Sequence, residues 1–251
     1  MVYYHLKETP KDEMRIEFLN SRNEVVRAFS TKGIDGDTLK VKAGSNEFNW
    51  NLRVPDAKAF EGMIMWSGPL TGPKVVPGDY KVRMIVDGAT QEQPFKVLAD
   101  PRYPSTQADL QAQYDFLLAV RDKLTETHQT ITLIREYRSS LQDMIASKKV
   151  RARQGEDIIK SLTSIEETLY QTQNQSRQDP LNFPIRLNNK LAHLNVIVGT
   201  GEWRPTDGAE QVRQDITKRI DAELTKFKDI ETKQLANLMN LDELKAAIDM
   251  K

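Results

Sequence analysis

The chain has no cysteine in its 251 residues. That excludes disulfides, thiolate nucleophiles and cysteine-ligated metal together, while leaving the compartment open. Histidine is scarce: His5, His128 and His193 fall in three separate stretches, so no short ligand spacing exists. No apolar run approaches the roughly 18 residues a membrane span requires. An excess of either charge is missing too. The 36 basic and 36 acidic residues cancel, and the first 100 residues carry 14 of each. A nucleic-acid-binding surface shows as a basic bias, so nucleic acid is not an expected partner. Nucleophile elbow, phosphate-binding glycine loop and dinucleotide fingerprint are all absent, so no cofactor is expected. The opening Met1-Val2-Tyr3-Tyr4 lacks the basic start and apolar core of an export signal.

What is present divides in two. With 39% hydrophobic and 29% charged residues the composition suits packed domains. Up to about residue 100 the pattern has period two. Met14, Ile16 and Phe18 alternate with charged residues, and the turn-rich Asn20-Ser21-Arg22-Asn23 leads to a return strand over 24–29. Leu39 with Val41 predicts a short strand, and Phe48, Trp50 and Leu52 predict another with Trp50 as a core anchor. Tyr80 to Val86 and Phe95 to Val97 flank Asp87-Gly88, a tight hairpin turn, with Pro94 marking an edge or bulge. A long Gly-, Pro- and Met-rich connection lies between Val54 and Pro77.

After Asp100-Pro101-Arg102-Tyr103-Pro104 the period changes. Ser105 or Thr106 offers an N-cap, and Leu110, Tyr114, Leu117, Leu124, Ile131, Ile134, Leu141 and Ile145 recur at helical steps, interrupted by Arg121, His128 and Arg138. Val150 to Gly155 is a basic break. Further stripes run from Ile158 to Leu169, from Leu187 to Val198 and from Val212 to Phe227. Leu235 to Ile248 extends the last or forms a short fifth piece, which Asp242 and Glu243 would start. The expected architecture is α+β and multidomain. An antiparallel immunoglobulin-like β-sandwich covers 1–100, a Pro-containing linker 101–104, and an all-α up-and-down four-helix bundle 105–251.

Several motifs in order resemble a known family. They are Asn46-Glu47-Phe48-Asn49-Trp50-Asn51-Leu52-Arg53, Gly68-Pro69, Gly72-Pro73 and Pro77-Gly78-Asp79-Tyr80-Lys81-Val82, then Asp100-Pro101-Arg102, Asp109-Leu110-Gln111-Ala112-Gln113 and Pro184-Ile185-Arg186-Leu187-Asn188-Asn189-Lys190-Leu191. Together they resemble the C-terminal region of large bacterial sortilin-like, BNR (Asp-box) repeat propeller proteins, often labelled glycosyl hydrolases. The Asp-box pattern itself is missing from these residues. The resemblance implies a C-terminal module that follows a propeller and braces it, any activity residing in the propeller. It also implies an extracytoplasmic place (periplasm, cell surface or secreted) with the export signal upstream, Met1 being an added start. The implied partner is the propeller of the same parent or another extracytoplasmic protein.

The residues offer few centres for chemistry. Asp35-Gly36-Asp37 lacks the serial oxygens of a calcium loop and reads as a turn. Asp157, Glu166 and Glu167 read as a solvated helix face, since adjacent helical residues point about 100° apart. Histidines on the helical stripes read as fillers of polar gaps. The conspicuous candidates are aromatic and sulfur side chains in loops. Met63, Met65 and Trp66 lie in the long connection and Trp203 in the loop from Gly199 to Gly208. Such side chains pack on their own body, dock on a neighbouring domain or stack on a glycan. A non-catalytic scaffold or interaction module is therefore expected. The alternatives are a carbohydrate-binding β-sandwich with Trp66 as its platform, or an accessory part of a glycoside hydrolase.

Overall fold

Strand and helix follow the two periodicities in the computed structural model, which describes residues 1–34 and 37–241. The fold is α+β, antiparallel strands first and then, among the described residues, four α-helices. Strand β1 (Val2–Leu6) pairs with β4 (Gly44–Phe48), while β2 (Arg15–Leu19), β3 (Val25–Ser30), β5 (Gly78–Val86) and β6 (Ala89–Val97) form a sheet ordered β3-β2-β5-β6. The helices are α1 (Gln107–Ala146), α2 (Ala152–Leu169), α3 (Leu187–Gly199) and α4 (Asp207–Ile230), the last continued by a π-helical turn, Glu231–Leu235. No described helix is long and apolar enough to cross a membrane.

The chain forms two compact units. The first comprises 1–56, 71–118 and 201–204. Its core gathers Leu6, Met14, Ile16, Phe18, Trp50, Val54, Val75, Tyr80 and Val97 from both sheets, with Tyr114 and Leu118 of α1 packed against it. Trp50 stacks on Phe18 at 4.2 Å between ring centroids, and its indole N–H donates to the Arg53 carbonyl at 2.9 Å, so the aromatic is buried without losing its polar partner. Asp87 and Gly88 both take positive φ, 45° and 81°, the geometry that matches a two-residue turn to the strand twist. Pro94 sits on β6, an outer strand of its sheet, where a missing N–H costs little.

Two strand expectations fail. Strand β4 ends at Phe48; Trp50 faces the core, but Leu52 adopts φ 61°, which breaks the alternation. There Val75 N donates to the Leu52 carbonyl and Arg53 Nη1 to the Gly72 carbonyl. Leu39 is buried, yet its neighbourhood forms a single parallel bridge, Ser30 to Thr38, instead of a strand with Val41. Strand β1 carried no expectation from the sequence; its partner β4 supplies the pairing that five residues alone cannot.

The second unit comprises 57–70, 119–200 and 205–251. Val120, Leu124, Ile131, Ile134, Tyr137 and Leu141 of α1 are buried, as are Ile158, Leu162, Ile165 and Leu169 of α2 and Ile216, Ile220 and Phe227 of α4. Val212, expected on the buried stripe of α4, is exposed; the buried part of that stripe begins one turn later, at Ile216. Asp35 and Gly36 of the Asp-Gly-Asp turn, and Leu244 and Ile248 of the expected fifth piece with Asp242 and Glu243, lie outside the described residues.

Candidate functional site

The connection that looked like an open loop is built into the helical unit. Its residues 57–70 form neither strand nor helix, and the Ala57 amide donating to the Leu70 carbonyl at 2.8 Å closes it into an Ω-like strap. A backbone lying on a protein surface needs partners for its N–H and C=O groups. Here they come from side chains of the helices.

Helix α1 supplies the first. Lys58 N donates to Thr125 Oγ1 at 3.2 Å, and the Lys58 carbonyl lies 2.6 Å from His128 Nδ1. A carbonyl only accepts, so Nδ1 carries the imidazole proton and Nε2 is left as acceptor, receiving the Asn188 amide at 3.2 Å. His128 is only 1% exposed, and burial pushes its pKa below the ordinary range against the opposing effect of the Lys58 carbonyl. The neutral form is the one its neighbours fit. Phe60 then stands edge-on to both His128 and Tyr170, at 5.4 and 4.9 Å, with the Arg135 guanidinium 4.5 Å above its ring.

Helix α3 supplies the rest. Asn189 grips Trp66 at both backbone groups. Its Oδ1 accepts from Trp66 N, and its Nδ2 donates to the Trp66 carbonyl, each at 2.7 Å, in imitation of a strand partner. His193 Nε2 reaches the same carbonyl at 2.8 Å, Asn195 Nδ2 reaches that of Pro69 at 2.8 Å, and Asn188 Nδ2 lies 3.3 Å from Met65 Sδ. Tyr170, following α2, accepts from Ile64 N at 2.9 Å. Gly68 permits the approach: a Cβ there would sit 2.6 Å from the Ala192 Cβ. The strap thus meets a face of α3 written as Asn188, Asn189, Ala192, His193 and Asn195.

Behind the strap lies a buried carboxylate. Glu166, expected on a solvated face, is 1% exposed and takes Arg135 Nε on one oxygen at 2.7 Å and Arg138 on the other. The physical reason is pairing. Two guanidiniums from α1 compensate the charge, and Arg135 carries that compensation on to Phe60 of the strap. Glu167 and Asp157 do lie at the surface.

Of the four side chains singled out from the sequence, Met63, Met65 and Trp66 share the strap. The two methionines are half-buried and Trp66 is 38% exposed, its backbone held and its indole partly free. Trp203 belongs to the other unit, is 50% exposed and packs edge-on to Tyr103 at 5.5 Å. Its loop is pinned to the start of α1. Gln113 Nε2 donates to the Gly201 carbonyl at 3.1 Å, Ser105 Oγ to that of Glu202, and Arg204 Nε to Asp109 at 2.8 Å. Asp109 also accepts from the Thr106 hydroxyl and amide while Thr106 Oγ1 accepts from its N–H, a capping box that identifies Thr106 as the N-cap. The Thr106 hydroxyl and then Arg204 hold the Asp109 pKa at about 2.

Sequence reading missed Asn188, Asn189, Tyr170 and Glu166. Four polar residues among the apolar positions of a short helix, at 188, 189, 193 and 195, were the available signal. Among the described residues no group of three or more His, Asp or Glu side chains is placed to hold a metal. The chain matches no family model and no curated protein.

Proposed function

We propose that this chain is a non-catalytic scaffold and interaction module. On this reading it is the C-terminal part of an exported bacterial propeller protein of the sortilin-like, BNR-repeat type, its strands an immunoglobulin-like β-sandwich and its helices an up-and-down four-helix bundle. The strands would brace the propeller and the helices present a long surface to an extracytoplasmic partner. The observation that carries the non-catalytic reading is the commitment of the buried polar groups. His128 bonds the strap at Lys58 and also Asn188, Asn188 bonds His128 and accepts from the Asn189 amide, Asn189 holds both backbone groups of Trp66, and Glu166 takes the two arginines behind the strap. Such groups position a backbone and leave no free base or nucleophile. Four open grooves among the described residues, of about 310 to 550 Å³, agree with it, since each of these four is lined by a single carboxylate (Glu47, Asp79, Asp37 or Asp157), whereas glycoside hydrolysis needs a pair across a cleft. Incubation of the purified chain with a broad panel of glycosides and peptides tests the reading; robust turnover ends it.

The partly free indole of Trp66 favours a second reading, glycan binding by stacking. Glycan-array binding that is lost in Trp66→Ala would replace the first reading with this one. No binding by the parent chain would remove it.

A further inference from the structure

The tight corner between α1 and α2 concentrates charge in a way the rest of the chain does not. Several arginines elsewhere stand beside acids: Arg22 by Glu24, Arg83 by Glu92, Arg102 by Asp100 and Arg204 by Asp109. At the corner, Lys148, Lys149, Arg151 and Arg153 fall within six residues, all exposed and none ion-paired among the described residues. No acid stands in the first turn of α2. Like charges within a screening length, roughly 8 Å at physiological salt, repel.

The corner is also fixed in shape. Lys148 takes φ 58°, its amide donating to the Ile145 carbonyl at 3.0 Å, and the amide of Lys149 returns to the Met144 carbonyl at 2.9 Å. Val150 is buried, and Gly155 lets Ile145 come so close that a Cβ would meet its Cδ1 at 2.5 Å. Beside the corner is an open groove of about 520 Å³ lined by Arg151, Arg153, Gln154, Lys233 and Gln234, with Asp157 its one carboxylate. Lys233 is paired with Asp229 at 2.7 Å, so the free cations of the groove are the two arginines.

We infer that this groove binds a small ligand carrying two or more phosphate groups. Two guanidiniums on a rigid corner offer forked donors that match phosphate oxygens, and the amide side chains of Gln154 and Gln234 supply neutral donors beside them. Lys148 and Lys149, within three residues of Arg151, add positive charge at the corner, against the single negative charge of Asp157. The inference is independent of the scaffold reading. Isothermal titration of the full chain with inorganic tripolyphosphate at low ionic strength tests it. One site is expected. Affinity should fall about tenfold or more in Arg151→Ala/Arg153→Ala, stay unchanged in Arg177→Ala (an exposed, unpaired cation elsewhere), and weaken on raising salt. Lysines at both positions should restore only part of it, because the charge returns without the fork. Absence of binding, equal loss in Arg177→Ala, or equally tight binding of citrate would overturn the assignment.

Discussion

Asn189 is the residue on which the docking of the strap turns, and Asn189→Ala measures how much. The substitution removes two hydrogen bonds of 2.7 Å at a position where Asn189 is buried. The consequences for Trp66 are unequal. Its carbonyl keeps His193 Nε2 at 2.8 Å, so that loss is a typical net hydrogen bond, about 1 kcal/mol. Its amide has no second acceptor, and an amide stranded against protein costs about 1–3 kcal/mol. The sum is roughly 2–4 kcal/mol against the docked strap. That corresponds to about a 30- to 700-fold drop in hydrogen-exchange protection at the Trp66 amide, at about 1.4 kcal/mol per factor of ten. Exchange read by NMR should show the loss at Trp66 and Ile64, with the buried α2 amide of Leu162 changing far less. Asn189→Asp separates the two bonds: it keeps an acceptor for Trp66 N but sets a carboxylate against the Trp66 carbonyl. It should fall between parent and alanine at the Trp66 amide. Protection at Trp66 within threefold of the parent in Asn189→Ala would refute the reasoning, since the strap would then be held without any need of Asn189.

Three other expectations follow from the same region. Glu166→Gln should destabilise the helical unit by about 2–4 kcal/mol, discounted from the usual cost of a broken buried pair because both arginines are partly hydrated, while Glu167→Gln should stay within about 0.5 kcal/mol; chemical denaturation of the two variants decides it. Gly68→Ala should cost about 1–3 kcal/mol through overlap with the Ala192 methyl, and Ala192→Gly should recover part of that in the double variant, so additive effects would count against the contact. For His128 the folded pKa lies below the unfolded one, so as pH falls through about 6.5 the unfolded chain takes up a proton that the folded chain refuses. Stability should therefore decline with falling pH down to the folded pKa. His128→Gln should flatten that dependence in thermal melts across pH 5–8, and an unchanged slope would rule His128 out as its source.

Much of the architecture was legible because most elements bury one face of a simple period. The α1 stripe from Leu110 to Leu141 and the alternation of Ile16 and Phe18 in β2 both became core. Reading failed where a polar group was buried with its partner far off in sequence. Glu166 stands on the apolar stripe, four residues after Leu162 and three before Leu169, while Glu167 points about 100° away; what the local pattern does not reveal is the partners that let a carboxylate be buried there, Arg135 and Arg138, about 30 residues upstream. Leu52 failed for a different reason: alternation continues through Trp50, but the chain turns at positive φ so that Arg53 can reach the Gly72 carbonyl.

The strap joins both failures in one place. From its composition, 57–70 is a loop with aromatic and methionine side chains, and the expected uses for those were packing on its own body, docking or stacking. Its side chains matter less to its position than its backbone does. Seven of its N–H and C=O groups, at Lys58, Glu61, Ile64, Trp66 and Pro69, meet side chains of the helices. A pattern of hydrophobicity cannot report backbone groups, because every residue carries them alike. The helix that receives them can. Polar residues at Asn188, Asn189, His193 and Asn195 disturb the apolar face of α3, and on a short helix beside a Gly- and Pro-rich connection that disturbance signals a backbone to be held. Because Asn189 then fixes Trp66 by its main chain, the indole is left to vary without loss of the strap. That division makes Trp66→Ala a clean probe of ligand contact and Asn189→Ala a clean probe of structure.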